Sequence, residues 1–250
     1  MKRLVMRADD LGYSEAVNLG IARAVQGGLL GGIGLMPNMP ASQHGFDLVA
    51  DSGIPIGQHT NVCVGRPVSD PALIPSMVQA NGEFRTSREY RSTQEDFVDY
   101  EEAVREVRAQ LERFREITGR EPEYFEGHAV ASDNFFRALE DVAAEEGLRY
   151  NPFSLDGTVR IGHTDVLMLP IMLSDDPAYD AFAWLQKVVG EAPDGCTCIH
   201  ISHPGWLDDY LLRHSSNCVN RTREVEMLVN PATREWLESQ DLELITYNEL

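Results

Sequence analysis

The sequence predicts an α/β fold built as a barrel-like single domain over residues 1–250. Two observations carry that reading. Strand-like apolar segments alternate with helical ones from end to end, and no linker or composition break interrupts the alternation. An open doubly wound sheet is the competing arrangement. No G-x-G-x-x-G follows the first strand, so a dinucleotide site has no support.

Taken in order, Arg3 to Arg7 reads as the first strand, and Ser14 as the N-cap of a helix over 15–26. In that helix Val17, Ile21 and Val25 recur at four-residue spacing, and Gly27-Gly28 stops it. "GGIGLMP" precedes a helical "ASQHGFDLVADSG", and "IPIGQHTNV" is strand-like. Residues 63–92, rich in Pro, Gly, Ser and Asn, predict a long loop. The strongest helix is expected over Thr93–Thr118, where Phe97, Val104, Val107, Leu111 and Phe114 fall near one face. Two further strand–helix pairs are "EYFEG" with "FFRALEDVAAEEG" and "DVLMLP" with "YDAFAWLQKVVG". "CTCIHISHPG" is a strand, followed by a terminal helical stretch and a short closing strand, "ELITY".

Composition narrows the partners. With 21 Lys+Arg against 40 Asp+Glu, the net charge of −19 argues against nucleic acid and anionic membrane surfaces. The opening MKRLVMRADD has no apolar segment or small-residue cleavage site, so no signal peptide is expected, and no run reaches membrane-span length. The four cysteines (Cys63, Cys196, Cys198, Cys218) have no zinc-knuckle or redox spacing, and a reduced, cytoplasmic setting is expected.

The chemistry-bearing residues gather at strand ends. Asp9 and Asp10 follow the first strand, His59 lies near the end of "IPIGQHTN", His128 follows "EYFEG", and His203 follows "CTCIHIS". In parallel α/β folds the carboxyl ends of the strands share one face, where active sites are built. Two adjacent carboxylates raise each other's cost of ionising, and a divalent cation relieves it. The set predicts a two-His, one-carboxylate metal site, one aspartate serving as ligand and the other accepting a proton from water. His200 shares a strand face with Cys196 and Cys198 and reads as packed, though its nearness to His203 keeps it a second candidate. His44 and His163 lie in loop-like stretches and read as structural or exposed. Neighbouring ligands on a flat strand do not close a tetrahedron, so "CTCIHISH" is not read as a zinc motif.

These residues carry a resemblance. "RADDLGYSEAVNLGI", "IGQHTNVCVGRP", "NGEF", "SHPGWLDD" and the run from Arg221 through Glu224, Val225 and Leu228 stand in the order seen in the YdjC-like carbohydrate deacetylases (the ChbG/HpnK family). The chain is similar to that family from residue 3 to residue 250. The resemblance implies an irregular, TIM-barrel-like (β/α) barrel related to polysaccharide deacetylases. It implies Asp10, His59 and His128 as ligands of one divalent metal ion (Mg2+ or Zn2+), Asp9 as general base and His203 as general acid or substrate-orienting group. The implied substrate is a small N-acetylated carbohydrate, with homodimerisation left open. Asn61, Trp206 and Arg221 are the candidate substrate contacts. Trp206 reads either as a sugar-stacking ring or as a core or lid aromatic, and Arg221 either as an orienting cation or as a surface helix charge. One departure stands out: the family shows G-H-x-H-x-H-x-x-P in its middle motif, whereas this chain has "EGHAVASDN", so only His128 remains. A different metal-dependent hydrolase, such as a phosphoesterase, and a non-catalytic sugar-binding relative are the alternatives.

Overall fold

The computed structural model describes residues 1–155 and 157–250. Its strands are β1 (Lys2–Leu11), β2 (Gly32–Leu35), β3 (Ile56–Thr60), β4 (Phe125–Gly127), β5 (Gly157–Ile161), β6 (Thr164–Met168), β7 (Thr197–Ser202) and β8 (Leu242–Leu244). The helices are α1 (Glu15–Val25), α2 (Ser42–Val49), α3 (Ser87–Ser92), α4 (Tyr100–Thr118), α5 (Asp133–Glu146), α6 (Ala181–Glu191), α7 (Asp209–His214), α8 (Val219–Val229) and α9 (Pro231–Ser239).

One sheet runs in the order β4-β3-β2-β1-β7-β6-β5 and curls into an open half-barrel. Every ladder is parallel except the β5–β6 hairpin. The expected barrel-like α/β architecture therefore forms, but it stays open, with no ladder joining β4 to β5 among the described residues. β1 lies at the centre. β7 pairs along Arg3–Ala8 on one edge, while β8 (at Lys2–Leu4) and β2 (at Arg7–Leu11) share the other edge.

Strand alternation separates two apolar layers. Leu4, Met6 and Ala8 of β1, with Cys198 of β7, pack in a large core with Val17 and Ile21 of α1 and Leu185 of α6. Val5, Ile199 and Ile201 belong to a separate cluster with Tyr124 and Tyr247, whose rings stack at 3.8 Å. A third cluster seats α4 and α5 through Val107, Leu111, Phe135 and Leu139.

Two stretches depart from the sequence expectation. The helix expected from Thr93 begins at Tyr100, because Asp99 caps it by accepting from the Glu101 and Glu102 amides. Phe97 thus lies ahead of α4, and α3 forms inside the expected loop under a Thr86–Glu89 capping box. The stretch Gly157–Ile161 forms an unexpected antiparallel edge strand against β6. Its short, polar sequence carries no apolar run, so only the pairing partner reveals it. Among the described residues no helix is long and apolar enough to cross a membrane.

Candidate active site

At the carboxyl ends of the strands lies a cavity of about 310 Å³, lined by Asp9, Asp10, His59, His128, His203 and Arg221 among others. Each strand delivers its group by register. Regular alternation would send Asp9 and Asp10 to opposite faces of β1. Asp10 instead adopts φ 76°, a conformation uncommon outside glycine but most tolerated by Asn and Asp, and the β1–β2 register shifts between Ala8 and Leu11. That local break turns both carboxylates into one cavity. Gly34 of β2 makes room for them: a Cβ there would meet Asp9 Oδ1 at 2.7 Å and His59 Cβ at 3.2 Å.

On the far side of β2, His59 of β3 is the register partner of Glu126 of β4, and the Glu126 carboxylate hydrogen-bonds His59 Nδ1. This leaves His59 Nε2 facing inward, 2.9 Å from His128 Nδ1 and 3.3 Å from Asp10 Oδ1. His128 Nδ1 is 3.1 Å from the same oxygen. The three atoms, all on buried side chains, form a group able to hold a metal ion. Among the described residues, Asp10 Oδ1 is buried with no hydrogen-bond donor, as is Asp9 Oδ1. A buried anionic oxygen facing two imidazole nitrogens, with no donor of its own, fits a divalent cation by both charge and ligand type.

Two arginines neutralise the carboxylates from behind. Arg7 Nη2 donates to Asp9 Oδ2 at 2.6 Å and to Glu126 Oε2 at 3.3 Å, and its Nη1 donates to the Tyr247 hydroxyl at 2.9 Å. Arg221 Nη2 donates to Asp10 Oδ2 at 2.6 Å. Burial works against the charge of Asp10, but Arg221 and His128 hold its carboxyl well below the usual range. Burial likewise opposes protonation of His59, yet Glu126 and Asp9 hold that ring well above its ordinary value.

His203 lines the cavity from the end of β7, one residue past Ser202, the register partner of Ala8. Desolvation pushes its imidazole down to about 4, with Asp10 pulling the other way, so the ring is neutral at pH 7 in the free site. His200 points elsewhere. It is buried on the opposite face of β7, both ring nitrogens lack partners among the described residues, and it is absent from the cavity wall. The nearness in sequence that made it a second candidate is undone by the pleat.

The remaining candidates divide. Arg221 is 3% exposed and lines the cavity, so the surface-charge reading fails for it. Asn61 lies outside the cavity wall. Its Oδ1 accepts from the Cys63 and Val64 amides and its Nδ2 donates to the Val64 carbonyl at 2.7 Å, a role in shaping the loop after β3. Trp206 is 37% exposed and also off the wall. Sequence reasoning passed over Arg7 and Glu126. The signal was available: an Arg two residues before Asp9 and a Glu two residues before His128 share their strand faces. The altered middle motif contributes Ala129 and Ala131 to the wall, with Ala129 at φ 55° turning the chain just after His128.

An open α/β barrel with a carboxylate–imidazole group at its strand ends places the chain in a recognisable structural class. Solved structures share the fold. A protein of Enterococcus faecalis described as acting in cellobiose-phosphate cleavage superposes with a TM-score of 0.84 at 23% identity, covering 99% of this chain and 98% of that one. A family 4 acetyl xylan esterase from Clostridium thermocellum, solved with a cobalt ion, gives 0.51 at 13% identity over 100% and 89%. Within that class, the sequence model for YdjC-like protein matches residues 3–239, and the chain belongs to the YdjC-like family. A carbohydrate deacetylase of Geobacillus stearothermophilus is 32% identical over 249 residues, 98% of this chain and 96% of its own. A second, from Listeria innocua, is 28% identical over 252 residues, 99% and 98% of the two chains.

Proposed function

We propose that the protein is a metal-dependent carbohydrate deacetylase that hydrolyses the acetamide of a small N-acetylated sugar. The observation that carries this reading is the convergence of Asp10 Oδ1, His59 Nε2 and His128 Nδ1 within 3.3 Å of one another at the cavity floor. Relatives covering nearly the whole chain bear the name carbohydrate deacetylase, which supports the same substrate class. Asp10, His59 and His128 would hold the ion. Two imidazoles suit zinc or another transition ion, and a carboxylate with water also suits magnesium. The chemistry such an ion supplies when bound is Lewis acidity, polarising an acyl carbonyl and acidifying water.

The side chains around it divide the remaining work. Asp9 keeps one oxygen on Arg7 and one without a donor, so the free oxygen takes the proton of an attacking water. Arg7 also fixes Glu126, and Glu126 orients the His59 ring. Arg221 keeps Asp10 ionised and in a single orientation. His203 donates a proton to the leaving nitrogen, because an amine anion does not depart unprotonated. Its ring is neutral at rest, so the proton it delivers is the one Asp9 takes from the attacking water, passed on before the amine departs. Asn61 shapes the loop after β3, and Trp206 stands outside the cavity wall. With Val130 and Ser132 where the family pattern G-H-x-H-x-H carries its later imidazoles, and the small Ala129 and Ala131 on the cavity wall, the sugar range shifts from diacetylchitobiose-like substrates.

Acetate release from N-acetylated mono- and disaccharides, with and without chelator, tests the proposal. Chelator-sensitive release is expected. Phosphate release from sugar phosphates without acetate release would replace it with a phosphoesterase, and binding without turnover would replace it with a sugar-binding protein.

A further inference from the structure

The turn after β7 is anchored at three backbone points. His203 N donates to Glu224 Oε2 at 2.5 Å, Gly205 N to the Arg221 carbonyl at 3.3 Å, and Trp206 N to the Ala16 carbonyl at 3.1 Å. Pro204 has no N–H, so every backbone N–H from 203 to 206 is engaged. The turn is also pressed against α1: a Cβ on Gly20 would come within 2.4 Å of Gly205 Cα.

Glu224 is the unusual partner in this arrangement. A neutral carbonyl would satisfy a backbone N–H, yet the acceptor is a buried carboxyl. Its second oxygen accepts from the Tyr179 hydroxyl at 3.0 Å. The residue before a proline already has a restricted backbone. With its N–H fixed as well, His203 retains only its side-chain torsions. Arg221 sits three residues before Glu224 on α8, on the same side of the helix, and its guanidinium reaches Asp10. One stretch of α8 therefore carries both the counter-ion of Asp10 and the anchor of His203.

We propose that Glu224 is a positioning residue for His203: its carboxyl group, braced by Tyr179, fixes the His203 peptide so that the imidazole enters the cavity beside Asp10, His59 and His128. The inference rests on the acid role given to His203 above. Glu224 does not line the cavity and touches no reacting atom; it acts through the turn.

The test compares Glu224→Ala, Glu224→Gln, His203→Ala and the Glu224→Ala/His203→Ala double variant. Each is assayed on an N-acetyl sugar amide and on an activated aryl acetate, whose leaving group needs no proton. Bound metal and thermal melting are measured alongside. His203→Ala and Glu224→Ala should each lower kcat on the amide by about 100-fold, the contribution of a well-placed acid. KM and metal content should stay near the wild-type values, and the ester should lose much less. The double variant should be no slower than His203→Ala, within about twofold. Glu224→Gln keeps an acceptor for the His203 amide and should recover most of kcat. Multiplicative losses in the double variant, or equal losses on amide and ester from Glu224→Ala, overturn the proposal. Should Glu224→Ala fail to fold, Tyr179→Phe replaces it: a loss on the amide that vanishes in the His203→Ala background supports the proposal, and one that persists there overturns it. Amide turnover left intact by His203→Ala itself overturns the acid role, a failure distinct from that of Glu224.

Discussion

Arg221 Nη2 donates to Asp10 Oδ2 at 2.6 Å, while the other oxygen of the same carboxylate faces His59 and His128. One oxygen is fixed by a buried cation and the other is presented to two imidazoles. Removing one partner of a buried ion pair costs about 3–5 kcal/mol, because the other charge is left uncompensated. Arg221→Met should destabilise the protein by about that amount in chelator, and by less in excess divalent ion, which supplies the missing positive charge. Denaturant unfolding under the two conditions checks this; equal losses in both would count against it.

His59 and His128 should be individually necessary for tight metal binding. Either alanine variant leaves two protein ligands and should lose stoichiometric ion. Glu126→Gln should keep the site but weaken it about 10- to 100-fold, the usual effect of disturbing a group that orients a ligand. Metal analysis after dialysis, with titration calorimetry for Glu126→Gln, measures the series. Full occupancy in both histidine variants would remove the ligand assignment.

The adjacent aspartates should separate cleanly. Asp9→Asn should keep the metal and lose about 100-fold or more in turnover, as expected for a general base. Asp10→Asn should lose the metal as well. A metal-free Asp9→Asn, beside a metal-loaded Asp10→Asn, would show that the roles are exchanged.

His200 offers a stability test away from the chemistry. Burial pushes its imidazole down to about 4, below the ordinary 6.5. Between those values the unfolded chain binds a proton that the folded chain refuses, so stability falls as pH drops from 6.5 toward 4. At the acid end the effect is on the order of 3 kcal/mol. His200→Leu should flatten this limb and leave turnover within a few fold. Urea unfolding of both proteins at pH 7 and pH 4.5 decides it; parallel pH dependence would contradict the reading. His203 is common to both proteins and cancels.

The sequence alone determined the layer architecture and the strand-end constellation. Period-2 and period-3.6 patterning depend only on local spacing, so β1, α1, β3 and β7 were legible, and with them Asp9, Asp10, His59, His128 and His203 at their ends. Local patterning also overreached: it ran the helix back to Thr93 because apolar spacing continues through Phe97, while the Asp99 cap depends on the chain's actual path. Only the tertiary structure decided the rest, because those decisions depend on partners far away in the chain. Strand pairing brought Glu126 to His59 and made an edge strand of Gly157–Ile161. Packing of α8 carried Arg221 to Asp10 across 211 positions and Glu224 to the His203 peptide. The positive φ at Asp10, which no spacing rule reveals, turned two neighbouring carboxylates into one cavity, while the pleat of β7 kept His203 in that cavity and sent His200 to the other face.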